Sequence, residues 1–364
     1  MKVLHFIDCD SLSWIAAYIE HIQVLAGMGA DPVLLCRPGE VARIARESGI
    51  PVVTWRPLVP AAPWLSPGFV HLVRGIGPHV IHTRLSSAAR IAGTWRGALG
   101  IPIVATFDKP AKAKYYRHID RYISCADWLK RYMAGQGLPN EKIDVIHNSV
   151  NLPRYARNEA TRARTRAELG IAEDEILFSG MGIYIRRKGF DVLIRAFAKL
   201  CAERGKAGLR LALIGGGGEA GMREEYRRLA GELGVADRLL MPQDFLSDVR
   251  PWLWASDVFV MPSREEGFSI ALLEGLASGL PVVVSDIEPF TEIIGDGENG
   301  LVAAKDNAKD FARSMGLMLD RGPGGRAALV QNALSLLERD FTPLAAAKRT
   351  LGIYERLRSK CQIQ

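Results

Sequence analysis

The stretch from Asp257 to Val284 limits what this chain can fold into more than any other. Asp257-Val258-Phe259-Val260-Met261 has the length and bulk of a buried strand. A polar loop follows, Pro262-Ser263-Arg264-Glu265-Glu266-Gly267, then an apolar segment from Phe268 to Ser278 with helical spacing. Gly279 is placed to end that helix of about three turns, and Pro281 keeps it ended. Leu280 to Val284 reads as a second strand. Strand, loop, helix, strand is a βαβ unit with a right-handed crossover, hence an α/β fold with a parallel sheet. In such sheets ligands sit beyond the carboxyl ends of the strands, so residues 262–270 are where chemistry is expected.

The residue types there suit a phosphorylated ligand. Gly267 and the expected first turn, Phe268, Ser269 and Ile270, offer backbone N–H groups backed by the positive end of a helix dipole, a fit for a diphosphate. Glu266 stands just before those amides. Glu274, eight residues on, falls roughly 80° further round and about 12 Å along a helix. Two carboxylates can therefore address opposite ends of one ligand. The competing reading is an amphipathic helix with two solvated glutamates.

With Pro262-Ser263 before it, Glu-Gly-Phe inside it and Ser278-Gly-Leu-Pro-Val-Val after it, the Glu266-x7-Glu274 pattern resembles the retaining glycosyltransferases of family 4 (group 1), lipopolysaccharide-core-type members among them. The resemblance implies a GT-B fold: two doubly wound Rossmann-like domains facing across a cleft whose closure excludes water. It implies transfer of a sugar from a nucleotide-sugar donor to an acceptor hydroxyl with retention, with no metal and no cofactor. By the same resemblance Glu266 contacts the transferred sugar and Glu274 the ribose. Arg187-Lys188 correspond to the family's basic pair on the diphosphate, Gly182 and Gly216 lie in glycine turns beside the donor, and Met241 lies near the base. Fixed cations are reasonable there, because a leaving diphosphate gains negative charge in the transition state.

At 364 residues two domains are expected. We place the N-terminal acceptor domain at residues 1–160, the donor domain at 161–342, and a closing helix at 343–364 that returns to the first domain. Strands at 2–7, 32–36, 51–55, 78–83, 103–107, 121–124 and 143–146 alternate with helices at 11–27, 40–48, 69–75 and 87–97, a doubly wound pattern. Residues 58–67 are Pro-rich loop, and 154–166, basic and without apolar period, read as linker. His147-Asn148-Ser149-Val150-Asn151 resembles the family's Pro-Asn-Gly-Val-Asp. Ala105-Thr106-Phe107-Asp108 puts Asp108 where the family usually has a catalytic-site histidine. The family's glycine-rich turn after the first strand is replaced by Asp8-Cys9-Asp10-Ser11. Asp-x-Asp is a metal handle in the other glycosyltransferase fold, but it normally follows several strands, so no metal is expected here.

Gly216-x-Gly218-x-x-Gly221 matches the dinucleotide fingerprint, with Asp237 where a ribose-binding acid would fall. The second reading is therefore an NAD(P)-binding oxidoreductase. The fingerprint ordinarily opens the first βαβ unit, and here it lies mid-chain. A third reading is a non-catalytic nucleotide-sugar-binding protein on the same scaffold. The five cysteines match no zinc spacing, and the N-terminus lacks a signal-peptide core, so a cytoplasmic location is expected. Net charge is +7. Lys109, Lys112, Lys114, Arg117, His118, Arg121, Lys130 and Arg131 interleave with Tyr115, Tyr116, Tyr122, Trp128 and Tyr132. Without a nucleic-acid motif, the expected partners are a glycan or lipid-linked acceptor and an anionic membrane surface, in cell-envelope synthesis at the inner face of the membrane.

Overall fold

The computed structural model describes residues 1–9, 14–59, 62–205, 207–242, 246 and 248–362. Asp10 of the Asp-x-Asp pair and the expected helix start at 11–13 lie outside the described residues. The chain forms two compact units, one of Met1–Ser149 with Asp340–Gln364 and one of Val150–Arg339.

The first unit holds β1 (Lys2–Ile7), β2 (Asp31–Cys36), β3 (Val52–Thr54), β4 (Val80–Arg84), β5 (Ile103–Phe107), β6 (Arg121–Ser124) and β7 (Ile143–Val145). They pair in the order β3-β2-β1-β4-β5-β6-β7, all in parallel. Strands buried on both faces need continuous apolar runs, and Ile103 to Phe107 is buried throughout. The Pro343–Gln362 helix completes this unit. Its Ala346, Ala347, Ile353, Tyr354 and Leu357 share one apolar cluster with Val3, Val80, Val104 and Ile123.

The second unit holds β8 (Ile176–Met181), β9 (Leu209–Ile214), β10 (Leu239–Leu240), β11 (Val258–Met261), β12 (Val282–Ser285) and β13 (Leu301–Ala303). Their order is β10-β9-β8-β11-β12-β13, again parallel. Both sheets are thus Rossmann-like. In the second, the winding reverses between β8 and β11, and ligand crevices of such sheets open at that reversal.

Two local expectations are corrected. Residues 154–166 are not linker. Leu152–Tyr155 and Glu159–Glu168 are helical. The second helix is held by arginines instead of an apolar stripe. Arg162 donates to the carbonyls of Trp254, Ala255 and Ser256 at 2.8–2.9 Å. Buried Arg166 reaches Ala172, Ala255 and Glu175 carbonyls. Those carbonyls include the open end of the Arg250–Ala255 helix, which guanidinium groups cap well. The helix expected at 87–97 runs Ser86–Thr94 and breaks at Trp95. Among the described residues, no helix is long and apolar enough to cross a membrane.

Candidate active site

The carboxyl ends of β8 and β11 bring together two cations, a carboxylate and a hydroxyl. Beyond β8 the chain turns through Gly182 into the short Arg186–Lys188 helix. Beyond β11 it runs through Pro262 to Ser269. Lys188 Nζ is 2.6 Å from Glu266 Oε1, and Arg187 is 3.4 Å from Glu266 Oε2. Ser263 Oγ donates to the same Oε1 at 3.0 Å. The Glu266 side chain is 6% exposed, that of Lys188 12% and that of Arg187 41%. Lys188 is therefore the buried member of the basic pair, and Arg187 the one that opens to solvent.

Backbone geometry fixes this apposition. Gly189 adopts φ +67°, and a Cβ there would stand 2.1 Å from the Pro262 carbonyl oxygen. Only glycine lets the two loops touch. Gly182 leaves room for the Lys188 stem, whose Cε would lie 3.0 Å from an added Cβ. Arg264 ties the loops a second time. Its amide donates to the Arg187 carbonyl at 2.8 Å, and its guanidinium to the Arg186 carbonyl at 2.5 Å. It also forks onto Asp191 at 2.8–2.9 Å and reaches Asp306 at 2.5 Å. Sequence reasoning placed Arg264 in the motif and gave it no task.

The helix after Glu266 starts later and is shorter than expected: it spans Ile270–Ala277, about two turns. Ser269 is its N-cap, its Oγ accepting from the Leu272 amide at 3.3 Å, as serine does well. Gly267 and buried Phe268 thus belong to the loop, and Ile270 opens the first turn. Glu274 lies inside the helix and accepts from the Tyr155 hydroxyl at 2.5 Å. Burial pushes the Glu274 carboxyl above its ordinary range, with the Tyr155 bond acting against that. Tyr155 itself, half-buried and beside Glu274, is pushed up as a phenol by that burial and by the neighbouring carboxylate. Nothing in the local sequence marked Tyr155, which precedes Glu274 by more than a hundred residues.

The glycine run after β9 serves close backbone approach. A Cβ on Gly215 would meet the Gly182 oxygen at 2.0 Å, and one on Gly218 the Tyr184 oxygen at 2.3 Å. Gly216 is buried between them. The loop therefore lies against residues 182–184, and the next helix, Met222–Glu232, starts only after Gly221. That is unlike a dinucleotide turn, which passes directly from strand to helix. Met241, just past β10, packs against the unit's apolar core.

In the first unit the winding reverses between β1 and β4, and Asp108 stands beyond β5, next to β4. Arg84 grips both its carboxylate oxygens at 2.7 Å and donates to Asn148 Oδ1 at 3.0 Å. The guanidinium lies over the Trp14 and Tyr18 rings, at 5.1 and 5.0 Å. Asp108 is thus a held carboxylate with a fixed partner. Asp8 of the Asp-x-Asp pair is likewise forked by Arg37, at 2.7 and 3.1 Å. Behind Asp108, His82 is bonded through one ring nitrogen to Tyr354 at 2.5 Å and through the other to Thr106 at 2.7 Å.

Known proteins resemble this chain in sequence and fold. The family described as Glycosyl transferases group 1 matches residues 173–321, and Glycosyltransferase Family 4 matches 18–154. The lipopolysaccharide core biosynthesis glycosyltransferase LpsE of Rhizobium meliloti (strain 1021) is 30% identical over 323 residues, 86% of this chain and 88% of that protein. A glycosyltransferase from Rickettsia africae ESF-5 superposes with a TM-score of 0.86 at 17% identity, covering 98% of each chain. Anabaena HepE, solved with UDP and glucose, gives 0.86 at 16% identity over 98% of this chain and 100% of that one.

Proposed function

This chain belongs to the group 1, family 4 glycosyltransferases, and on that premise we propose that it moves a hexosyl or related sugar from a nucleotide-sugar donor to an acceptor hydroxyl, with retention at the anomeric carbon and without a metal ion. Membership displaces the NAD(P) oxidoreductase reading. The observation that carries the proposal is the meeting of Lys188, Arg187 and Glu266 at the reversal point of the second sheet. An entering diphosphate offers the two cations a more highly charged acceptor than Glu266 does. Arginine can fork two phosphate oxygens, and lysine adds a point charge. Charge that builds on the leaving diphosphate is then met by groups already in place. Glu266, released, accepts from a sugar hydroxyl. The amides of Gly267, Phe268, Ser269 and Ile270 complete the diphosphate cradle.

At the far end of the donor, Glu274 exchanges the Tyr155 hydroxyl for the ribose. Gly182 and Gly216 let backbone approach the donor, and Met241 borders the base. Asp108 keeps the acceptor-side role that the family gives its position, with Arg84 setting its orientation. The acceptor is a cell-envelope glycan, lipid-linked at the inner face of a membrane. The likeness to LpsE and the chain's basic balance support this.

A thermal-shift screen of UDP, GDP, ADP and CMP with their sugars tests the donor class, since a ligand of the native state raises its melting point. We expect one nucleotide series to shift the melt; no shift from any would overturn the donor reading. Anomeric NMR of the product tests retention, and an inverted product overturns it. Activity abolished by EDTA and restored by a divalent ion would refute metal independence. Glu266→Ala separates enzyme from binder. It should lose turnover while keeping most nucleotide affinity.

A further inference from the structure

We propose that the surface flanking the Ser86–Thr94 helix docks on an anionic lipid bilayer, with Leu58, Trp64 and Leu65 entering the headgroup layer and Lys112, Lys114 and Arg117 meeting lipid phosphates. Two independent features point there.

The first is charge. Between Glu47 and Asp120 the chain has nine arginines and lysines and a single acid, Asp108. That segment alone carries +8, against +7 for the whole chain. Its one acid is neutralised by Arg84. Arg96 pairs with Asp120 just past the segment's end, whereas Lys109, Lys112, Lys114 and Arg117 are exposed.

The second is apolar exposure at Leu58 and on the Pro63–Leu65 turn. Leu58 is 80% exposed, Trp64 63% and Leu65 50%. Both places are tied down by hydrogen bonds. Leu58 N donates to Ser66 Oγ at 3.1 Å, and the Trp95 indole donates to the Pro63 carbonyl at 3.2 Å. Trp64 and Leu65 stand on one turn of 3-10 helix, Pro63–Leu65. Large side chains held outward on an ordered turn form a patch that a binding surface requires and a free monomer does not.

The Ser86–Thr94 helix joins the two features. The apolar turn and the basic loop both pack against it. Gly93 permits the basic loop to approach, since a Cβ there would stand 2.3 Å from the Arg117 oxygen. Arg90 of the helix and Lys114 of the loop lie over the Tyr115 ring at 5.8 and 5.5 Å. The apolar turn and the basic loop therefore share one helix as their support. This revises which aromatics face the lipid. Tyr116 and Tyr122 are core residues beside Phe107, and Arg121 is paired with Asp144. Trp64, outside the basic run, takes their place. Nucleic acid would reward the bases but gains nothing from exposed Leu58 and Leu65, whereas a bilayer with anionic headgroups takes both.

The proposal deepens the reading of a membrane-borne acceptor and rests on that reading for its purpose. Its test needs no donor or acceptor. The full chain is spun with sucrose-loaded vesicles of phosphatidylcholine with phosphatidylglycerol, and of phosphatidylcholine alone, at low and high salt. We expect binding to the mixed vesicles only, weakening with salt. Reversal of Lys112, Lys114 and Arg117 to Glu should cut partitioning on the order of a hundredfold. Trp64→Ser with Leu65→Ser, and separately Leu58→Ser, should weaken it while leaving the melting temperature in place. Equal binding to neutral vesicles, binding unmoved by the charge reversal or by both apolar variants, or retention on DNA in place of vesicles overturns the proposal. Transfer to a soluble acceptor fragment, assayed separately, shows whether the catalytic reading stands when the vesicle result fails.

Discussion

Lys188 Nζ and Glu266 Oε1 are 2.6 Å apart, the carboxylate buried and the ammonium nearly so, and the pair fixes cation and carboxylate in mutual register. Lys188→Ala should lower kcat/KM by about 2–4 kcal/mol, the scale of one lost transition-state charge contact. Arg187→Ala should cost less, because Arg187 is the more exposed partner. Lys188→Ala also strands a buried carboxylate, so Glu266→Gln added to it should recover melting temperature without recovering activity. Unchanged kcat/KM in both single alanine variants would remove the basis for the diphosphate clamp.

Gly189→Ala tests the loop apposition away from any charged group. The new methyl meets the Pro262 carbonyl, and the residue must hold φ +67°. Roughly 1–3 kcal/mol of stability should be lost. The basic turn should lift from the Glu266 loop, seen as a raised KM for donor. A variant with wild-type melt and wild-type KM would show that the close approach does not matter.

Glu274 supplies a pH test. Burial raises its folded carboxyl above the ordinary value of 4.5. The folded state then holds the proton more tightly than the unfolded chain does. Stability from this group is full below pH 4.5 and falls as pH rises through the folded value. Glu274→Gln, which keeps an acceptor for Tyr155, should therefore raise the melting temperature at neutral pH and lose donor affinity. Melts across the acid-to-neutral range decide it; a variant less stable at neutral pH speaks against a buried, raised carboxyl.

The first unit should be acid-labile through its histidines. Burial lowers His5 to about 3 and holds His82 well below 6.5. His5 Nδ1 is 3.0 Å from the Tyr18 hydroxyl, and the two histidine rings are 5.7 Å apart. A depressed folded value means stability present above pH 6.5 and lost as pH falls. Each such histidine contributes a slope of about 1.4 kcal/mol per pH unit. His82→Gln should remove one proton from the slope of urea-melt stability below pH 6.5. An unchanged slope would mean that His82 is protonated when folded.

The candidate site in the second unit was legible because its parts are short and contiguous. Apolar runs such as Val258 to Met261 could only be buried parallel strands, and the loops that follow carry Arg187-Lys188 and Glu266 in plain order. What escaped reading depends on distant partners. Arg264 finds Asp191 and Asp306 only after folding, Tyr155 finds Glu274, and Arg84 finds Asp108. The Glu159–Glu168 helix escaped for a different reason. Its anchors are arginine stems and forks, which hydrophobic periodicity does not register. The late start at Ser269 could have been found, since serine is the usual cap and its hydroxyl takes the Leu272 amide.

Tyr354 has a kinetic consequence. On the ribosome, the strands of the first sheet emerge early, but the helix that covers His82 is made only after the entire second unit. The nascent first unit must wait with an uncovered apolar flank, and with His82 Nδ1 lacking its Tyr354 partner, while nearly two hundred further residues are added. Chaperone dependence should therefore concentrate in that interval, ahead of the completion of the second sheet.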